Sequence, residues 1–296
     1  MKILVAIPHY FKPSRRGGHG SLSSDPRPRI QALTACLTAL HQFLGPQQAM
    51  VNIARRLVLP ANEALVSTVR VVICTTRGDH LLASIQPYSN LFSHRPVDSE
   101  PMMLGFACHR ELRVNTGNYD YYCYLEDDLI IHDPWYFQKL EWFSRQFGNE
   151  YLLQPNRYEL GPRGRTHKLY IDGDLAPSVT APFIKPSRQT DLEALALGTR
   201  IEFCRAVNPH AGCFFLNLAQ MRSWAQDPRF CDGDTSFVGP LESAATLGIL
   251  RSFHVFKPSR QNASFLEVHH FGTRYLSFVD RLPRLPPTSE SASAGI

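Results

Sequence analysis

Apolar residues along this chain fall into two patterns, short unbroken runs and spacings of three and four. Residues 2–7 (KILVAI) are apolar after the lysine and stop at Pro8, which predicts a buried strand. A long polar loop follows over 12–29. Between residues 30 and 44 the apolar positions Ile30, Leu33, Leu37, Leu40 and Leu44 share one helical face. Residues 69–75 are dense in β-branched side chains and close at Arg77-Gly78-Asp79, a second strand. A helix is predicted over 102–114, an aromatic-rich buried strand over 119–125, and another helix over 135–147. Trp135 and Tyr136 read as core residues rather than as a sugar platform. Residues 151–200 are irregular and rich in proline, with Asp172-Gly173 predicting a hairpin turn. Regularity returns as a strand over 213–216, helices over 218–226 and 241–250, and a strand over 252–256. This alternation predicts an α/β fold, a mostly parallel central sheet flanked by helices. The end of the chain (LPPTSESASAGI) is poor in apolar residues and predicts a disordered tail over 283–296.

Composition narrows the class. With 44% apolar and 19% charged residues over 296 positions, the chain can bury a sizeable core in one or two domains. Its apolar runs are far shorter than the roughly 18–20 residues of a membrane span, and MKILVAIPHYF is too short in apolar content for a signal peptide. Seven cysteines, none in a C-x-x-C pair, argue against a disulfide framework or structural zinc and for a reducing compartment, the cytoplasm. A formal net charge of +5 without any Lys/Arg block suits anionic small molecules or an anionic membrane surface. It does not suit nucleic acid, whose binders carry a basic face with stacking aromatics.

The most informative stretch is Tyr119-Asp120-Tyr121-Tyr122-Cys123-Tyr124-Leu125-Glu126-Asp127-Asp128-Leu129-Ile130-Ile131. Three adjacent carboxylates lie between two apolar segments, where burial without a positive partner costs several kcal/mol. A divalent cation, Mn²⁺ or Mg²⁺, is one partner that prefers carboxylate and phosphate oxygens. The carboxyl end of a parallel strand is also where α/β sheets bind ligands. A solvated acidic turn or helix-capping cluster is the other reading.

The run YDYYCYLEDDLIIHDPWYF resembles the D-x-D-type segment of nucleotide-sugar glycosyltransferases with the GT-A fold, family 2-like. ILVAIPHYF resembles their first strand and nucleotide-contacting loop, and NPHAGCFFLN, GPLESAATLGIL and EVHHFG follow in the matching order. The resemblance covers residues 1–275, with Glu-Asp-Asp in place of a strict Asp-x-Asp. It implies one domain over 1–282, a nucleotide-binding half over 1–133 and an acceptor-side half over 134–282.

By that resemblance Asp128 would bind the metal directly, and Asp127 or Glu126 would contact ribose or sugar, or the metal through water. His269 or His270 would complete the metal shell, the other packing in the core or near the surface. Pro8 and Tyr10 would adjoin the nucleotide. So would Arg15 and Arg16, in a loop with five cations (Lys12, Arg15, Arg16, Arg27, Arg29) against Asp25, unless that loop is simply solubilising. Arg77, after the second strand, is a further nucleotide-contact candidate. Glu242 would be the general base of an inverting transfer, with Asp234 and Asp232 behind it, although a carboxylate at a helix start is also plain dipole chemistry. His210 and Gly212 would meet the sugar. The expected partners are a UDP- or GDP-sugar donor and a glycan or lipid-linked acceptor, in polysaccharide or glycoconjugate synthesis, with the protein docking at the inner face of the membrane. A metal-dependent phosphohydrolase and a non-catalytic carbohydrate- or metal-binding protein of the same fold are the rival readings.

Lys-Pro-Ser-Arg recurs at Lys12, Lys185 and Lys257 with irregular spacing, which excludes a repeat architecture. Three cationic turns explain it; the alternative is that one of them holds a phosphate.

Overall fold

The computed structural model describes residues 1–14, 20–161, 166–187 and 189–281. The expected tail over 283–296, and Arg15 and Arg16, lie outside the described residues. The chain opens with β1 (Lys2–Pro8) and α1 (Arg27–Leu44), then a hairpin of β2 (Ala49–Asn52) and β3 (Leu57–Pro60). There follow β4 (Thr68–Thr76), β5 (Ser93–Val97), α2 (Leu104–Val114), β6 (Tyr121–Leu125), β7 (Leu129–Ile130) and α3 (Tyr136–Phe147). Short strands β8 (Tyr151–Leu153), β9 (Asn156–Leu160) and β10 (Lys168–Tyr170) precede the single turn α4 (Pro177–Thr180). A second hairpin, β11 (Asp191–Ala196) and β12 (Thr199–Arg205), leads to β13 (Cys213–Asn217), α5 (Leu218–Ala225) and α6 (Pro240–Ser252). The described chain closes through β14 (His254–Pro258) and β15 (Glu267–His270).

The central sheet has the order β13-β6-β1-β4-β5, with β6, β1, β4 and β5 parallel and only β13 antiparallel at the edge. Strands of a parallel sheet are covered on both faces and so read as unbroken apolar runs. Side-chain alternation divides β1 between two cores. Ile3, Val5 and Ile7 pack with Leu33, Leu37 and Leu40 of α1, and Leu4 and Ala6 pack with Leu104 and Cys108 of α2 and Leu247 of α6. Two four-stranded sheets adjoin it, β10-β9-β15-β7 and β11-β12-β14-β8. The first of these carries β7, directly after the three acids, against β15, with His270 opposite Leu129.

Two expectations need correction. Asp172-Gly173 is not a hairpin turn: β9 and β10 pair across the 161–167 connection, and the Asp172 carboxylate turns inward, accepting the backbone N–H of Arg157 at 3.0 Å. Trp135 is 54% exposed, while Tyr136 is buried as expected, because α3 begins at Tyr136 and leaves Trp135 outside its apolar face. The hairpins β2–β3 and β11–β12 went unread, the first because its turn is Ile53-Ala54-Arg55-Arg56 rather than an Asn-Gly or Asp-Gly pair. Among the described residues no helix is long and apolar enough to cross a membrane.

Candidate active site

β6 ends at Leu125, and the chain turns sharply, the Glu126 carbonyl accepting the N–H of Leu129 at 3.1 Å. The turn sets Glu126, Asp127 and Asp128 at the carboxyl end of β6, beside the carboxyl end of β1. Asp127 is fully buried. Its Oδ2 lies 2.5 Å from His9 Nδ1, and His9 Nε2 accepts the Leu81 N–H at 3.1 Å. The Leu81 bond therefore fixes the tautomer: Nδ1 carries the proton and donates it toward Asp127. Arg29, in the first turn of α1, pairs with Asp127 Oδ1 and reaches Asp128 Oδ2 at 2.8 Å. A guanidinium presents a planar fork of donors, so one side chain joins both carboxylates. Asp128 is held below the usual carboxylate range: burial pushes it up, but Arg29 and His270 outweigh burial.

The pair His269-His270 separates by strand alternation. His270 Nδ1 donates to Glu159 Oε1 at 3.0 Å, and its Nε2 lies 3.9 Å from Asp128 Oδ2. Glu159, fully buried, also accepts the N–H groups of Tyr275 and Leu276 at 2.8 and 2.9 Å. Burial pulls His270 down, but the bond to Glu159 and the charge of Asp128 prevail and lift it above its ordinary value. His269 faces the other way, stacked on Tyr158 with ring centroids 5.3 Å apart and 3.3 Å from His132 Nε2. Burial, His132 and His270 push it down to about 4. Of these two histidines, His270 faces the acids.

Glu126 borders a second charged group. Burial and Asp128 push its carboxyl up to about 7, against the opposing pull of Arg157 and Arg29. Behind it, Asp172 binds two buried cations, Arg157 Nε at 2.8 Å and Lys257 Nζ at 2.9 Å. Burial raises Asp172, but Lys257 and Arg157 win and hold it at about 2. Lys257 Nζ also donates to the His210 carbonyl at 2.8 Å, and His210 Nδ1 meets Thr246 Oγ1 at 3.0 Å. Gly212 has φ +61°, and a Cβ there would lie 2.5 Å from Glu126 Oε2. Only glycine admits that backbone and that approach. His210 and Gly212 are thus brought to the acidic turn.

The other expected residues are spread more widely. Pro8 ends β1, immediately before His9, and Tyr10 packs partly buried against the α2-side core. Arg77 is exposed at the end of β4 and pairs with Glu100. Glu242 lies in the first turn of α6, one turn before Thr246, whose hydroxyl meets His210. Asp234 is the correction: it binds Arg251 at 2.7 Å, in the last turn of the same helix, and hydrogen bonds from Ser236 and then Arg251 hold it at about 2. Asp232 leans on the same guanidinium at 3.7 Å. These acids serve Arg251, at the opposite end of α6 from Glu242.

Four site residues escaped sequence reasoning: His9, Arg157, Glu159 and Asp172. Arg29 was visible only as one loop cation of five, and Lys257 only as part of a recurring tetrapeptide. The available signal was an ionisable residue set in an apolar run: VFKP places Lys257 in a strand, where a lone lysine needs a buried partner.

No family model matches the chain, and no curated protein matches it. Among solved structures the chain is similar to S. aureus TarS, at 12% identity and a TM-score of 0.46, covering 92% of this chain and 37% of that one. It is also similar to S. aureus TarS 1–349 in complex with UDP-GlcNAc (13% identity, TM-score 0.39, 91% and 58% covered). Mouse xyloside xylosyltransferase 1 in its apo form is a third neighbour, at 11% identity and TM-score 0.39, with 86% and 85% covered. The chain spans between about a third and three-fifths of the length of the TarS chains it resembles.

Proposed function

We propose that this chain is a glycosyltransferase of GT-A type that moves a sugar from a nucleoside-diphosphate sugar to an acceptor hydroxyl, in polysaccharide or glycoconjugate synthesis. One observation carries this reading: the Asp127–Arg29–Asp128 unit, faced by His270, sits at the carboxyl ends of parallel strands β1 and β6. Carboxyl ends of parallel strands are where α/β sheets take nucleotides. The sequence resemblance around Glu126-Asp127-Asp128 supports the same assignment.

Among the described residues no cluster of three or more metal-ligating side chains forms, and the support for a divalent cation comes from two donors. Asp128 Oδ1 is buried with no hydrogen-bond partner among the described residues, and Glu159 orients His270 so that Nε2 turns toward Asp128. Carboxylate–histidine pairing of this kind positions metal-binding imidazoles. Asp128 and His270 would hold Mn²⁺ or Mg²⁺. The ion would supply charge neutralisation for the departing nucleoside diphosphate.

The chain's own residues have separate tasks. Arg29 aligns Asp127 and Asp128 and holds Asp128 in its charged form, and Arg157 with Lys257 adds positive potential behind Glu126. Such preorganised charge acts where negative charge develops during transfer. Gly212 lets its backbone lie directly against the Glu126 carboxylate and so fixes where that group sits. Glu242 takes the acceptor proton as the acceptor oxygen bonds to the anomeric carbon and the bond to the nucleoside diphosphate breaks, a single displacement that inverts the sugar. Such a base needs its carboxylate oxygen roughly 2.6–3.2 Å from the acceptor hydroxyl.

Incubating the protein with a panel of UDP- and GDP-sugars and Mn²⁺, and following nucleoside diphosphate release, tests the proposal. One donor should be consumed, and Asp128→Asn should lower its turnover at least about a hundredfold. Consumption of no donor with any divalent ion would overturn it.

A further inference from the structure

The connection between α1 and β4 is a hairpin, β2 on β3, joined through Met50↔Leu59 and Val51↔Val58 and part of no larger sheet. A two-stranded ribbon alone is marginal in water. This one nonetheless exposes apolar side chains on both faces. Met50 (65%) and Leu59 (45%) lie on one face, and Val51 and Val58 (66% each) lie on the other. Ile53, in the turn, is 84% exposed. Arg55 and Arg56 share that turn, both exposed, and among the described residues no carboxylate pairs with either. Glu63, at the base, is the nearest acid in sequence.

A rigid partner, or a second copy of the chain, covers one face of a ribbon and leaves the other wet. A bilayer interface is fluid and surrounds both faces, while its anionic headgroups meet the two guanidiniums. Apolar side chains beside arginines are the composition that binds such interfaces. We propose that this hairpin docks the protein on an anionic membrane surface. The formal net charge of +5 has the matching sign.

The hairpin joins the carboxyl end of α1 to the amino end of β4. Arg29 and the acidic turn lie toward the other end of α1, about 20 Å away at 1.5 Å per residue. Docking there leaves the carboxyl-end site open to the aqueous side. The inference stands apart from the reaction, because membrane binding is read without turnover.

Flotation of the full chain with vesicles tests it, using phosphatidylcholine alone and phosphatidylcholine mixed with phosphatidylglycerol. The protein should float with the mixed vesicles and stay behind with neutral ones. Arg55→Ala with Arg56→Ala should weaken binding about fivefold per charge. Ile53→Asp with Val58→Asp should abolish it. These side chains are exposed, so both variants should keep the parent circular dichroism and melting temperature. The proposal is overturned if the parent protein fails to float with anionic vesicles, or floats equally with neutral ones. It is also overturned if the variants float as well as the parent, or if they break a dimer instead of vesicle binding.

Discussion

Arg29 and Asp127 form an ion pair almost out of water, with the Arg29 side chain 14% exposed and Asp127 fully buried. Arginine in the first turn of a helix opposes the helix dipole. It sits there because two carboxylates from the end of β6 need a cation, and the first turn of α1 supplies one. The pairing ties a helix start to a strand end across nearly a hundred residues, and so holds the turn that presents Asp128.

Removing the guanidinium leaves Asp127 with His9 as its remaining partner. Arg29→Met should lower stability by roughly 3–5 kcal/mol, the cost of stranding a buried charge. Arg29→Lys should fall between, because an ammonium lacks the fork. Urea denaturation reads the difference. Adding Asp127→Asn to Arg29→Met should restore most of the loss, and failure to do so would show that the charge is not what Arg29 holds.

Glu159 acts through His270. Glu159→Gln should weaken Mn²⁺ binding about 10–100-fold, the usual effect of losing a carboxylate that orients a metal-binding histidine. His269→Ala should leave Mn²⁺ affinity unchanged, since His269 stacks on Tyr158 instead. The opposite ranking in a calorimetric titration would exchange the two histidines.

Gly212→Ala forces a side chain into φ +61° and within 2.5 Å of Glu126 Oε2. The left-handed backbone alone costs about 1–2 kcal/mol, and Glu126 has to move. A stability loss of that order, with a larger fractional loss of donor turnover, is expected. A variant with parent-like turnover would mean that the Gly212–Glu126 approach has no bearing on the site.

Acid should weaken the fold through His109. This histidine is buried, bonded through Nε2 to the Ala244 carbonyl at 2.7 Å, and burial pushes it down to about 4. Between about 6.5 and 4 the unfolded chain therefore binds a proton that the folded chain refuses. Its contribution is whole above 6.5 and is lost as pH falls toward 4, about 3 kcal/mol in total. Urea midpoints measured across that window should decline in the parent protein and decline less in His109→Gln.

The α/β pattern was legible because β1, β4 and β6 are apolar or β-branched runs and α1 keeps its spacing of three and four, whereas the edge strand β5 (SHRPV) is polar and exposed and carries no such signal. The acidic turn was legible because three carboxylates after an aromatic strand are chemically costly. Its partners were not. His9 lies inside a resemblance to a nucleotide loop without any local sign that its ring turns to Asp127. Arg157, Asp172 and Lys257 meet only through strand pairing of β9 and β14 with their neighbours, across 15 and 85 residues. Asp172-Gly173 carries genuine turn chemistry, and the buried cations override it. The choice between His269 and His270 needs the register of β15 on β7, since one residue of slip would exchange their faces.

The central claim is that the acidic turn binds a nucleoside diphosphate together with a divalent cation. Calorimetric titration with UDP and GDP, in Mn²⁺ and in EDTA, tests it most directly. One nucleotide should bind in Mn²⁺, lose most of its affinity in EDTA, and fail to bind Asp128→Asn under either condition. Equal binding by parent and Asp128→Asn, or no binding of either nucleotide in Mn²⁺, would contradict the account.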